Sequence, residues 1–116
     1  MYYCVLTETD KEMITIEEFE ELFDLIEGEP EFEFFLKNDE KTYMMIKYNG
    51  HVTFQRCGVD GGGPINDFIN LQELLQEELE DGFCLKNMWS DIDTVIADGM
   101  YDLSLPDDYN AYKEIG

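Results

Sequence analysis

Two aspartates spaced by one residue, Asp91 and Asp93 in "DIDTVI" (Asp91–Ile96), form the sharpest chemical motif in the chain. Two carboxylates so close in the chain could divide the roles of nucleophile and general acid. "DGGGP" (Asp60–Pro64), ahead of a helical pattern, has the composition of a loop whose backbone N–H groups cradle an anion. His51 is the only histidine, so any Cys–His or Ser–His nucleophilic pair must use it. With 28 Asp and Glu present, carboxylate pairs at a catalytic distance arise by number alone and identify nothing.

Context weakens each motif. The Asp91-x-Asp93-x-Val95 spacing resembles the signature of haloacid-dehalogenase-type phosphotransferases, which need it at the end of a buried parallel strand. Here "CLKNMWS" precedes it, and 18 residues beyond Asp98 are too few for the rest of that fold. Asp91 and Asp93 read instead as acids in the first turn of a helix, where the dipole favours them. The Asp60–Pro64 loop lacks the lysine that phosphate loops add, and a net charge of −21 repels phosphate. His51 sits beside a predicted turn and reads as an exposed residue. No stretch has EF-hand ligand spacing, and Cys4, Cys57 and Cys84 fit neither a disulfide framework nor a zinc set. The expectation is a protein that is not an enzyme and carries no cofactor and no metal.

The charge balance is the larger signal. Seven Lys and Arg stand against the 28 acids, and the excess runs −9 over residues 1–58 and −12 over residues 59–116. No basic stripe offers itself to nucleic-acid phosphates or to anionic membranes. No apolar run reaches the roughly 20 residues of a transmembrane helix, and the N-terminus lacks a basic signal-peptide region. A reduced, cytoplasmic setting is expected. A hydrophobic fraction of 44% and an aromatic fraction of 14% provide a core and argue against disorder. Self-repulsion at −21 works against compaction, and added salt relieves it.

The elements follow from the spacing. "YYCVLT" (Tyr2–Thr7) reads as a strand. Thr15 and Glu18 make a capping box for a helix over residues 16–27, stopped by Gly28. Ile16, Phe19, Leu22, Phe23 and Ile26 form its apolar stripe, with Glu17, Glu20, Glu21, Asp24 and Glu27 on the opposite side. "FEFFLK" (Phe32–Lys37) alternates as a strand, with Asn38–Glu40 as its turn. "TYMMIKY" and "HVTFQRC" flank Asn49-Gly50, the strongest short hairpin signal. A two-residue turn pairs Tyr48 with His51 and places Tyr43, Met45, Val52 and Phe54 on one face, with Lys47 and Arg56 at its margins. Met44, Ile46 and Tyr48 share the other face with His51, Thr53 and Gln55, and the pattern does not decide which face is the core. Gly58–Pro64 reads as a loop. Asn66 reads as the cap of a helix over 67–81, ended by Gly82, with Phe68, Leu71, Leu74, Leu75 and Leu79 as its stripe and six acids along it. Ser90–Gly99 reads as a third helix, and "MYDLSL" as a last strand before Pro106. "DDYNAYKEIG" has no clear period. The fold expected is a single α+β domain over 1–116, an antiparallel sheet with a central hairpin packed by two or three amphipathic helices, in the order β-α-β-β-β-α-α-β.

The acid points to a class of partner. Six carboxylates on a twelve-residue helix, about 18 Å long, approach the spacing of one B-DNA strand, about 3.4 Å per phosphate. The expected partner is therefore a basic protein, a nuclease or toxin, bound without direct nucleic-acid contact. The interface residues expected are Glu17, Glu20, Glu21, Asp24 and Glu27 on the first helix, Glu73, Glu77 and Glu80 on the second, and Trp89 as an aromatic anchor. Core packing is the simpler reading of Trp89. The leading function is an immunity or antitoxin protein that neutralises a toxin nuclease. The alternatives are a DNA-mimic anti-defence protein of the anti-restriction or anti-CRISPR kind, and an adaptor whose acid serves only solubility. The composition is similar to that of small acidic inhibitors generally, and no motif assigns it to one family. The partner's identity and the oligomeric state are not written in the residues.

Overall fold

In the computed structural model, residues 14–37, 42–57, 65–79 and 82–115 are described. The predicted strand Tyr2–Thr7, the turn Asn38–Glu40, the loop Gly58–Pro64 and Glu80 lie outside them. Among the described residues the elements follow in the order α1 (Ile16–Leu25), β1 (Glu31–Leu36), β2 (Thr42–Tyr48), β3 (His51–Cys57), β4 (Ile65–Phe68), α2 (Leu71–Gln76), α3 (Leu85–Met88), β5 (Ile92–Ala97), β6 (Tyr101–Asp102) and α4 (Pro106–Ile115). A 3-10 turn, Trp89–Asp91, links α3 to β5. The fold is α+β: six antiparallel strands in the order β4-β3-β2-β1-β5-β6, with helices on one face.

Helix α1 starts as its capping box dictates. The Thr15 hydroxyl accepts from the Glu18 amide and the Glu18 carboxylate accepts from the Thr15 amide. Phe19, Leu22, Phe23 and Ile26 are buried beneath it. The Asn49-Gly50 hairpin forms in the expected register, with Tyr48 opposite His51 and Met45 opposite Phe54. Tyr43, Met45, Val52 and Phe54 face the core, no more than 2% exposed. What settles the choice of face is the neighbour strand. Phe32 and Phe34 of β1 come into line with Met45 and Tyr43, and the rings of Phe19, Trp89 and Tyr112 close over them. A stacked pair, Tyr43 and Phe83 at 4.1 Å, extends the same cluster toward α3.

Three expectations are corrected. Ser90–Gly99 is not a helix: Ile92–Ala97 is β5, paired with β1 on one side and β6 on the other. The β-branched run Ile92, Thr94, Val95 and Ile96 prefers a pleated surface, and Val95 and Ala97 are fully buried against Phe34 and Phe32. Asp91 and Asp93 are therefore not first-turn helix acids. Asp91 ends the 3-10 turn, Asp93 is an exposed strand residue, and β5 runs antiparallel to both neighbours rather than parallel as the phosphotransferase signature requires. The second helix is also shorter than 67–81. Ile65–Phe68 completes the sheet beside β3, and Asn70, not Asn66, caps α2 by accepting from the Glu73 amide. Finally, 106–115 is helical. Pro106 at its first position and Asp107 and Asp108 in its first turn supply the start signals. Helix-strand order therefore differs from the one expected from the sequence, although the class is the same.

One turn residue ties β1, β5 and α4 together. Asp98 follows β5 with φ +53°, its carboxylate accepts from the Glu31 amide and the Tyr112 hydroxyl, and its own amide donates to the Glu31 carbonyl. Asp98→Ala keeps the left-handed backbone strain and leaves the part-buried Tyr112 hydroxyl without its acceptor, so it is expected to cost about 2–3 kcal/mol. Asp98→Asn, which tolerates that backbone and retains an acceptor, should cost about 1 kcal/mol. Urea midpoints of the two variants check this ordering.

Burial, and then the Asp98 carboxylate at its hydroxyl, push the Tyr112 phenol far above its ordinary value. A raised folded-state value means stability is complete below the unfolded phenol's pKa, about 10. Stability is then lost as pH climbs above that point. Tyr109, raised by burial and by Glu18 and Glu21, acts in the same direction. Thermal melts of Tyr112→Phe between neutral and strongly alkaline pH should therefore show a shallower alkaline decline than the parent protein.

Candidate functional site

Helix α1 is tied to α2 by a hydrogen bond and stands near Tyr109 of α4. The Gln72 side-chain amide at the start of α2 donates to Glu20 Oε1 at 2.6 Å. On the other flank, Glu18 and Glu21 stand close enough to Tyr109 of α4 to push its phenol up. The exposed acids of α1 therefore adjoin the start of α2 on one flank and stand near Tyr109 of α4 on the other.

Of the interface residues expected from the sequence, Glu17, Glu21, Asp24 and Glu27 are exposed, the first three on α1 and Glu27 just beyond it. Glu20 is half-buried by its bond to Gln72. Glu73 is exposed but already employed, its carboxylate accepting from the Ile69 amide at 3.1 Å. Glu77 is exposed at the C-cap of α2, and Glu80 lies outside the described residues. Trp89 does not join them. Its indole packs 5.5 Å from Phe19 and 6.2 Å from Phe34, and its N–H donates to the Ile14 carbonyl. Trp89 is thus partly buried, packed against the core and fixing the entry to α1. Sequence reasoning missed Asp107 and Glu114, which are exposed on α4.

Of the two lysines near this surface, Lys47 faces inward and Lys113 is exposed. Lys47 extends from β2 beneath the end of α1, where its ammonium donates to the Phe23 and Ile26 carbonyls and sits 4.9 Å from the Phe23 ring centroid. Helix α1 has no base in its own last turn. Lys47 therefore supplies, from another element, the positive charge and the donors that a helix C-terminus lacks. Lys113 lies over the Tyr109 ring at 5.2 Å. Lys47→Met keeps the stem and removes the charge, and is expected to lower stability by about 2 kcal/mol. The loss should appear in urea unfolding with an unchanged slope.

Between α1 and the hairpin tip runs a groove of about 260 Å³, lined by Glu20, Phe23 and Asp24 on one side and Tyr48, Gly50 and His51 on the other, with Ile69–Gln72 at its end. A second hollow shares Lys47, Tyr48 and Gly50 with it and continues past Glu27 and Glu29. The His51 ring stacks on Tyr48 at 4.8 Å and pairs through Nδ1 with Asp67 at 2.7 Å. Burial, then Glu33, push the Cys57 thiol up and outweigh the nearby Arg56, so it stays a protonated thiol rather than a nucleophile. Cys84 is buried and donates to the Leu75 carbonyl.

Among the described residues, no group of three or more Cys, His, Asp or Glu is arranged to hold a metal ion, and no helix is long and apolar enough to cross a membrane. The chain matches no protein-family model, no curated protein and no solved structure, so the reading of this site rests on its own geometry.

Proposed function

We propose that the protein is a small acidic inhibitor that binds and neutralises a basic, nucleic-acid-handling protein, foremost as an immunity or antitoxin protein against a toxin nuclease. The observation that carries the reading is the exposed acid face of α1, Glu17, Glu21 and Asp24 with Glu27 just beyond, beside which the Lys47 ammonium is turned onto the helix's last carbonyls. A face so dominated by carboxylates presents an attractive field to a basic cleft and steers association at long range. The same field gives no means of holding nucleic acid directly.

A DNA mimic acting against a restriction or CRISPR nuclease is the second reading. It is favoured by one feature, the five carboxylates Glu17, Glu18, Glu20, Glu21 and Asp24 within the ten residues of α1, a segment about 15 Å long. That density matches a phosphate line of about 3.4 Å repeat. An adaptor whose acid is only solvated surface would bind its partner through apolar contacts and with little salt dependence.

The test is recovery of the tagged protein from cells under washes of rising ionic strength, followed by nuclease assays on the recovered complex. A stoichiometric basic nuclease, released by salt and inhibited while bound, is the expected result. A partner that is retained at high salt and is not basic overturns the proposal.

A further inference from the structure

The acid surface supplies long-range attraction, but steering alone is salt-screened and weakly specific; tight inhibitors add a few desolvated anchors. We infer that the groove between α1 and the hairpin tip is the anchor site, built to receive one arginine side chain of the basic partner. This rests on the inhibitor reading and deepens it.

Three observations converge on arginine. First, the part of the groove facing Ile69 is bounded. At about 260 Å³ it lies near the bottom of the roughly 300–1,000 Å³ of pockets for drug-sized ligands and suits a single long side chain, whose backbone end can lie along the adjoining hollow past Glu27. Second, its walls are divided by chemistry as an arginine is. Phe23 and Val52 are buried apolar floor for a methylene stem, and Ile69, 70% exposed, forms an apolar lip. Glu20 and Asp24, one helical turn apart, supply carboxylates on the wall of α1. Third, the opposite wall carries the Tyr48–His51 stack, an aromatic surface on which a planar guanidinium can stack as well as make the cation–π contact open to any ammonium.

The occupant's competitors fit less well. Among the described residues, Lys47 is the one lysine or arginine lining the groove, and its donors already serve the Phe23 and Ile26 carbonyls. Four carboxylates, Glu20, Asp24, Glu27 and Glu29, outnumber it along the two connected hollows, so an anionic ligand is repelled. Gln72 holds Glu20 at the groove's end by a bond that leaves the second carboxylate oxygen for a guanidinium.

The probes are hexa-arginine and hexa-lysine, titrated at low salt into the isotope-labelled protein and followed by amide chemical shifts. Shifts for hexa-arginine should concentrate at Tyr48, Gly50, Ile69 and Asn70, and hexa-arginine should bind at least about threefold tighter than hexa-lysine. Glu20→Gln with Asp24→Asn should weaken hexa-arginine binding by about tenfold or more. Asp107→Asn with Glu114→Gln removes the same charge from α4 and should weaken it by less than about threefold. Ile69→Ser, at an exposed position outside the core, provides a second variant should the first prove unstable, and should weaken hexa-arginine binding without any change of charge. Equal losses from the two charge pairs, or shifts spread evenly over all three helices, overturn the groove and leave the inhibitor reading standing. No binding of either peptide at low salt overturns both.

Discussion

Replacing Phe19 with Ala is expected to destabilise the domain by about 3–5 kcal/mol. Phe19 is fully buried, and its ring lies 5.2 Å from Phe32, 5.7 Å from Phe34, 5.5 Å from Trp89 and 6.2 Å from Phe23. It is the point at which α1, the middle of the sheet and the α3–β5 connection meet. Removing the ring leaves a cavity whose walls belong to three separate elements, so local collapse cannot readily refill it. Small domains hold about 5–15 kcal/mol in all, and a net charge of −21 offsets part of that through self-repulsion. Loss of most far-UV helical signal in dilute buffer, with recovery in high salt, is the expected result. A change in unfolding free energy below about 1 kcal/mol would show that α1 is not seated on the sheet as described.

The second large effect concerns binding. Reversing Glu17, Glu20, Glu21 and Asp24 to Lys together inverts the charge of α1 while leaving its buried face of Phe19, Leu22 and Phe23 untouched. Association with a basic partner should slow by about 10- to 1,000-fold at low ionic strength. The gap from the parent protein should narrow at high salt, where the Debye length shrinks to a few ångströms. Stability should change little. Glu17→Lys opposes the helix dipole and Glu20→Lys gives up the Gln72 bond, while the repulsion among the acids is relieved. Stopped-flow association rates at several salt concentrations, on a variant shown to be folded, decide the matter. An unchanged rate would remove α1 from the interface.

What was legible in the sequence was what neighbours in the chain determine. The Thr15–Glu18 box and the Asn49-Gly50 turn each involve residues close together in the chain, and both formed as read. The hairpin's core face was not legible, because Met44, Ile46 and Tyr48 are as apolar as Tyr43, Met45 and Val52. Only the long-range arrival of Phe32 and Phe34 distinguishes them. Ser90, Asp93 and Gly99 imitated helix punctuation, yet Asp98-Gly99, both with positive φ, form the turn of a hairpin between β5 and β6. Residues 67–70 continued the apolar period of α2, but the open edge of β3 claimed the first of them for pairing. The acid face of α1 was readable from its period alone. The groove was not, because its walls come from around residues 23, 48 and 69, which only the fold brings together.

The place of β1 in the strand order has a consequence for synthesis of the chain. β1 pairs with β2 across a short connection, but its other side is filled by β5, far later in the chain: Phe32 meets Ala97 and Phe34 meets Val95. Until Ala97 has left the ribosome, the most aromatic strand of the described sheet is an unpaired edge, the kind of surface that recruits other chains. Closing that gap is a high-contact-order step and sets a slow limit on maturation. The acid carried by the earlier segments, nine carboxylates between Thr15 and Phe34, is present from the start and keeps nascent copies apart while they wait for β5.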